Sequence, residues 1–127
     1  MKSNYKVAIA LLAGAAIGGA AIQGLHAQAK PPAYVITETN ITDQAAFNEF
    51  SPKVPATMQP FGGKYLIRGG KIVTLQGEAP GRFIVTAFDS MEKAQAWRDS
   101  AAWKALMPLR DKGAKVRGDY IVEGVSQ

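Results

Sequence analysis

The sequence predicts an α+β domain whose elements follow the order β-α-β-β-α-β. Four short runs rich in β-branched and aromatic residues alternate with two longer segments in which apolar residues recur every three or four positions. Gly and Pro clusters separate these segments. This order is one arrangement of the ferredoxin-like fold, in which both helical regions cover one face of a four-stranded antiparallel sheet.

The first half of the domain begins with a predicted strand at 33–41, which is rich in β-branched residues. Asp43 then offers an N-cap for a helix. The apolar stripe of this helix comprises Phe47, Phe50, Val54, Met58 and Phe61. Pro52 and Pro55 interrupt the stripe, and each removes an N–H donor, so we expect a kinked or divided helix.

The next strand is predicted at 64–68, where it ends in an arginine followed by two glycines. The two glycines turn the chain into 71–75, which we interpret as a short extra strand. A loop with Gly and Pro then leads to a strand at 82–88.

The second helical region is predicted to begin with Asp89 as N-cap, in a capping box with Glu92. A second helical piece follows a cap at 99–100 and bends near Pro108. The last strand is predicted at 119–125.

Both alternating sets of residues along the four strands are substantially apolar. We place Val35 in one set with Val85 and Tyr120, and we place Glu38 in the other set with Arg68. Two helical regions can cover only one face of a sheet, so the second apolar face needs another cover. A second copy of the chain, packed sheet against sheet, is the economical choice, and we predict a homodimer.

Residues 1–29 have the pattern of a signal peptide. Lys2 and Lys6 precede an apolar run at 7–22, and 27–29 reads Ala-Gln-Ala, the small-x-small pattern of a cleavage site. We therefore predict cleavage after Ala29, a periplasmic or secreted protein, and a single domain at 30–127. The alternative is that the apolar run is retained as an anchor.

Composition excludes several kinds of chemistry. The chain has no Cys, and its one His lies in the predicted signal peptide. An ordinary zinc site, a His-assisted nucleophile and a histidine ligand for haem are therefore not expected, and we predict no cofactor. Cleavage would lower the formal net charge from +5 to +3, because the leader holds two of the 15 basic residues and none of the acidic ones. We expect no nucleic-acid partner and, after cleavage, no membrane contact.

Four stretches carry a family resemblance: PPAYVITETNITDQAAF, KVPATMQPFGGKYLIRGG, FDSMEKAQAWRDSAAWKALMPLR and the closing YIVEG. Together they resemble the family DUF1330, a domain of unknown function, over about residues 32–124. The resemblance implies a dimeric α+β barrel, a superfamily that includes cofactor-free monooxygenases, isomerases and haem enzymes. It supplies no catalytic residues. Arg98 and Trp103 stand where similar sequences often carry Tyr, and Pro52 stands where Ala is more usual.

Four residues are candidates for a ligand site, and each has a plain structural alternative. Arg68 is either a solvated strand end or a cavity arginine able to hold a carboxylate or phosphate in a forked contact. Glu38 is placed on the same face, as a partner for Arg68. Trp97 either packs in the core or walls a pocket and stacks on a planar ligand. Arg110 either closes that pocket or ends a solvated helix.

Three functions remain open from the sequence. The first is an exported homodimer that binds a small apolar or aromatic molecule, or acts as a non-catalytic accessory. The second is a cofactor-free oxygenase or isomerase acting on an activated aromatic or lactone substrate, with an arginine stabilising the substrate anion. The third is an interaction module whose sheet face pairs with a different protein. Fold alone does not choose among them.

Overall fold

Four β-rich segments pair into one antiparallel sheet. The computed structural model describes residues 30–126, so the predicted signal peptide lies outside the described residues. The strands are β1 at Ala33–Ile41, β2 at Lys64–Arg68, β3 at Arg82–Phe88 and β4 at Ala114–Glu123. Their order across the sheet is β2-β3-β1-β4, with every neighbouring pair antiparallel. The predicted α+β, ferredoxin-like arrangement is confirmed.

The first helical region is divided, as its prolines predict. Helix α1 spans Gln44–Phe50 and α2 spans Val54–Met58, and a single 3₁₀ turn follows each of them. Pro52 lies in the first of these turns and Pro55 at the start of α2, positions where a missing N–H breaks no long run of helical bonds. The Asp43 carboxylate accepts a hydrogen bond from the Ala46 amide at 3.1 Å and caps α1 as predicted.

The second helical region contains α3 at Met91–Asp99, α4 at Ala101–Ala105 and α5 at Met107–Gly113. Ser90, not Asp89, is the N-cap of α3, because its hydroxyl accepts from the Lys93 amide at 3.3 Å. Asp89 instead pairs with the Lys93 ammonium group. Ser100 caps α4. Within residues 30–126, no helix is long and apolar enough to span a membrane.

One predicted strand is absent from the structure, and one predicted strand boundary is wrong. Residues 71–75 form no strand, because this exposed segment pairs with no other strand of the described chain. Strand β4 begins at Ala114, earlier than predicted, because its pairing with β1 continues as far as Ile41. The basic stretch at 115–117 is therefore part of the sheet.

An aromatic core fills the space between the helices and one face of the sheet. Phe47 and Phe50 enter it from α1, and Trp97 and Trp103 enter it from α3 and α4. Phe88, at the end of β3, stacks on Trp97 with 5.3 Å between ring centroids. These rings bury much of the apolar surface that stabilises a domain of this size.

The strand register corrects the predicted faces. Val35 lies opposite Thr86 and Ile121, so these positions face the helices together. Ile36 pairs with Val85 and Tyr120 and points to the other face. The prediction failed because alternation within a strand does not fix the alignment between strands.

Candidate functional site

A small cavity lies between the helical layer and the sheet. Its volume is about 40 Å³, room for about three water molecules. Aromatic side chains form much of its wall: Phe47, Phe50, Tyr65, Trp97 and Trp103. Four arginines also line it: Arg68, Arg82, Arg98 and Arg110. Among residues 30–126, no Asp or Glu side chain contributes to this lining.

The two tryptophans form one side of the cavity because helices α3 and α4 direct them at the sheet. Their ring centroids lie 4.7 Å apart, and Phe50 meets Trp103 edge-on at 6.0 Å. The Trp97 indole N–H donates to the Thr57 hydroxyl at 2.9 Å. Trp97 is 2% exposed, so it is a core residue whose ring also lines the cavity.

Arg98 is held by a carboxylate. Its two terminal nitrogens donate to the two oxygens of Asp119 at 2.6 and 2.8 Å, a forked contact. One of them also donates to the Thr37 hydroxyl at 3.2 Å, and the guanidinium lies 4.3 Å from the Trp103 ring centroid. Arg110 approaches the same Asp119 at 3.5 Å. Two lining arginines therefore share one partly exposed carboxylate.

Arg68 lies at the edge of the cavity, and its hydrogen bonds go to a carbonyl oxygen and a hydroxyl instead of a carboxylate. Its guanidinium donates to the carbonyl oxygen of Ser51 at 3.0 Å and to the Ser51 hydroxyl at 3.2 Å. It also lies 4.4 Å from the centroid of the Tyr65 ring. Among the residues described, it is the one cavity-lining side chain that is largely exposed.

Arg82 comes from the start of β3 and lies against the backbone of Gly69. A Cβ atom at Gly69 would be 2.6 Å from the Arg82 Nη1 atom, so the absent side chain leaves room for the guanidinium. Gly69 also has a φ of 72°, which favours glycine. The Arg82 guanidinium stacks over the Phe47 ring at 5.0 Å. The two glycines after Arg68 thus serve a turn and, at the first of them, the placement of a second arginine.

Burial and the nearby charged groups shift the pKa values of Tyr65 and Arg82. Burial raises the pKa of the Tyr65 phenol, and the nearby Arg68 and Arg82 only partly oppose that shift. Burial lowers the pKa of Arg82, and the charge of Arg68 lowers it further, while Tyr65 opposes both. Tyr65 is therefore a protonated hydrogen-bond donor at neutral pH, beside the guanidinium groups of Arg68 and Arg82.

The buried polar atoms that lack a hydrogen-bond partner gather around this cavity. Within residues 30–126 they are the hydroxyls of Thr39 and Thr86 and the Nε atoms of Arg82 and Arg98. All four residues line the cavity. Buried polar side-chain atoms are normally hydrogen-bonded in native proteins, so the grouping of these four atoms makes this cavity the candidate functional site.

The structure brings three of the four predicted site residues together. Arg68, Trp97 and Arg110 line the cavity, and Glu38 does not. Glu38 points to the other face of the sheet, near Glu78 and Arg117. A β-bulge between Tyr65 and Ile67 shifts the register of β2, so Arg68 faces the helices and the predicted pairing with Glu38 is wrong.

Two arginines of the cavity were missed as site residues. Arg82 opens a strand after a loop, where an exposed cation is the ordinary expectation. Arg98 follows Trp97 directly and so falls off the apolar stripe of its helix. A partial signal existed for Arg98, which stands where similar sequences often carry Tyr. Arg82 offers no comparable signal, because its placement depends on Gly69 in the turn after β2.

Fold and cavity together define a ferredoxin-like α+β domain with an arginine-lined cavity between its two layers. The chain belongs to the family DUF1330, a domain of unknown function, whose model matches residues 32–125. No curated protein matches the chain.

Solved structures share this fold at low sequence identity. A protein of unknown function from Rhodopseudomonas palustris superimposes with a TM-score of 0.63 and 11% identity, over 77% of this chain and 85% of that one. SnoaB, a cofactor-independent oxygenase from Streptomyces nogalater, gives a TM-score of 0.55 and 4% identity, over 76% and 96% of the two chains. A dimeric protein of unknown function with a ferredoxin-like fold, from Bacteroides fragilis, gives 0.50 and 12%, over 72% and 95%.

Proposed function

We propose that this protein binds a small aromatic molecule in the cavity between its helices and its sheet. One observation carries the proposal: the unpartnered buried polar atoms and five aromatic rings surround the same cavity. Ligand sites are commonly apolar clefts with a few convergent polar groups that fix orientation. The aromatic walls would stack on a planar ring, and the polar atoms would orient its substituents.

Binding of an aromatic ring requires the cavity to widen, because about 40 Å³ accommodates only a few waters. Arg68 is the side chain best placed to move. It is exposed, and its polar contacts are two hydrogen bonds to one residue, Ser51. Swinging Arg68 outward would open the cavity beside Tyr65 without disturbing the buried tryptophans.

Both tryptophans of the chain line the cavity, so intrinsic fluorescence reports directly on binding. We expect saturable fluorescence changes with at least one compound from a panel of aromatic acids, amides and phenols. The same compound should raise the thermal unfolding midpoint, since a ligand at about ten times its Kd stabilises the folded state by about 1.4 kcal/mol. Cyclohexane analogues of the same compounds serve as controls for the aromatic ring. A panel without any thermal shift at millimolar concentration would contradict the proposal.

A second candidate function is that of a cofactor-free oxygenase. Arg68, Arg82 and Tyr65 place two cations and a phenol donor at one corner, where they would stabilise an anion formed on a bound substrate. In the balanced reaction, an activated ring CH₂ group and O₂ would give a ring carbonyl and water. Oxygen uptake with a bound aromatic would support this function, and tight binding without oxygen uptake would reject it.

We also propose that the protein acts as a homodimer through its uncovered sheet face. Ile67, Tyr120 and Val122 lie on the face opposite the helices and are 41%, 46% and 42% exposed. Contiguous apolar surface of this kind marks an interaction site. The dimeric Bacteroides fragilis protein of the same fold supports a second copy as the partner.

Replacing Val122 with Glu is expected to shift the protein from dimer to monomer at micromolar concentration, because two copies of the charge would be buried at one interface. Sedimentation velocity measures the change. Leu75→Glu is the matched control, since Leu75 is 95% exposed in the loop between β2 and β3. A wild-type protein that sediments as a stable monomer would contradict the dimer, and a heterologous partner on this face would then be the alternative.

We further propose that residues 1–29 direct export and are removed, so that the mature protein is periplasmic or secreted. The basic start, the apolar run and the Ala-Gln-Ala site support this. The intact mass of the protein purified from the periplasm tests it, with a mature chain that begins at Lys30 as the expected result.

A further inference from the structure

We infer that the bound molecule is an organic anion, and that its carboxylate docks on Arg82. This inference rests on the proposed aromatic-binding function and names the chemical class of the ligand. It assigns to Arg82, and not to Arg68, the forked contact with the anion. Three separate observations support the inference: the charge balance of the cavity, the contacts of Arg82, and the hydrogen-bond donors beside Arg82.

The charges around the cavity do not balance. Four guanidinium groups line it, and Asp119 is a carboxylate that Arg98 and Arg110 share. Asp111 contacts Arg110 as well, from a largely exposed position. Among residues 30–126, neither Arg68 nor Arg82 has a carboxylate within 4 Å. An anion in the cavity would offset this excess of positive charge, since buried charges are stable when paired.

Arg82 is pre-organised for such an anion, and Arg68 is not. Phe47 and Gly69 flank the Arg82 guanidinium, and its Nε atom is buried without a partner. A carboxylate that accepts from Nε and one terminal nitrogen would form the forked contact that guanidinium geometry favours. The Arg68 guanidinium already donates to Ser51 at the exposed edge.

Neutral donors beside Arg82 complete the site. Tyr65 and Thr86 lie directly opposite each other on β2 and β3, and both line the cavity. The Thr86 hydroxyl is buried and unpartnered, and the Tyr65 phenol remains protonated at neutral pH. Both can donate to oxygen atoms of the ligand. A planar monoanion suits this arrangement better than a phosphate, because four further aromatic rings line the cavity.

Matched acid and amide pairs test the inference on the wild-type protein. We would titrate benzoate against benzamide, and 2-naphthoate against 2-naphthamide, by tryptophan fluorescence and calorimetry at pH 7. Each pair has the same shape and differs in charge. We expect each acid to bind at least tenfold more tightly than its amide, with an affinity that falls as salt is raised, because charge–charge contacts are screened.

Variants at two arginines locate the contact. Arg82→Met is expected to weaken binding of the acids at least tenfold and to leave the amides within about twofold. Arg82→Lys, which keeps the charge but not the fork, should give an intermediate loss. Arg117→Met is the control, because Arg117 lies on the other face of the sheet near Glu38. Thermal unfolding of each variant checks that it is folded.

The possible outcomes separate this inference from the proposed function. Amides that bind as tightly as acids would overturn the anion assignment and leave aromatic binding intact. Acid selectivity that survives Arg82→Met would overturn the role of Arg82. Acids and amides that all fail to bind would overturn the proposed function, and the inference with it. If Arg82→Met does not fold, the acid and amide comparison on the wild-type protein and Arg82→Lys decide the question.

Discussion

Replacing Trp97 with alanine is expected to lower the free energy of unfolding by about 3–5 kcal/mol, the range measured for large-to-small changes at buried aromatic positions. Trp97 is 2% exposed and stacks on Phe88 at 5.3 Å. Its indole N–H is also the donor to the buried Thr57 hydroxyl. The variant would therefore lose ring contacts, create a cavity and remove a buried hydrogen bond at once. Urea denaturation followed by circular dichroism measures the change.

Two further substitutions separate the contributions to this loss. Trp97→Phe keeps an aromatic ring against Phe88 but removes the donor to Thr57, so we expect a smaller loss of about 1–3 kcal/mol. Gln95→Ala is the control on the same helix, since Gln95 is exposed and its removal should change stability by less than about 0.5 kcal/mol. A Trp97→Ala variant that loses less than about 1 kcal/mol would contradict the core role of this ring.

Local chemistry made much of the fold predictable. The predicted bounds of β1, β2 and β3 agree with the structure, because each strand is a short run containing β-branched and aromatic residues between turn residues. The divided first helix follows from the backbone chemistry of Pro52 and Pro55. These features depend on residues close together in the chain, and a single sequence contains that information.

The alignment of one strand against the next was not predictable in the same way. The bulge between Tyr65 and Ile67 places Arg68 on the helix side of the sheet. Periodicity within β2 alone cannot reveal an extra residue that appears only in its pairing with β3. Because the alignment between strands was unknown, Glu38 was wrongly placed on the same face as Arg68. For the same reason, each predicted set combined residues from both faces of the sheet.

The candidate site was predictable only in part, for a related reason. Arg68 and Trp97 stood out by residue type and position, whereas Arg82 gains its environment from Gly69 and Phe47, which are distant in the chain. An arginine at a strand start is ordinarily solvated, and only tertiary contacts show otherwise. The sequence could therefore suggest that the cavity holds an arginine, but not which arginine lacks a partner.

The two glycines after Arg68 allow a test of whether Gly69 positions Arg82 for binding. Gly69→Ala is expected to weaken binding of an aromatic acid at least tenfold, and Gly70→Ala to leave the affinity within about twofold. Both glycines have positive φ, 72° and 97°, so alanine at either position should destabilise the fold by about 1–2 kcal/mol. Only at Gly69 would the new Cβ meet the Arg82 guanidinium, at 2.6 Å; at Gly70 nothing lies within 4 Å.

Both variants place alanine at a positive-φ position, and they differ in what they do to Arg82. The group displaced by Gly69→Ala is the end of a flexible side chain, so the clash moves Arg82 out of place and does not unfold the domain. Benzoate and benzamide titrations at a temperature where both variants are folded measure the effect, and benzamide binding should be the same in the two proteins. Equal losses of benzoate affinity at Gly69 and Gly70 would show that the turn acts through backbone strain alone, and the placement of Arg82 by Gly69 would then have no part in binding.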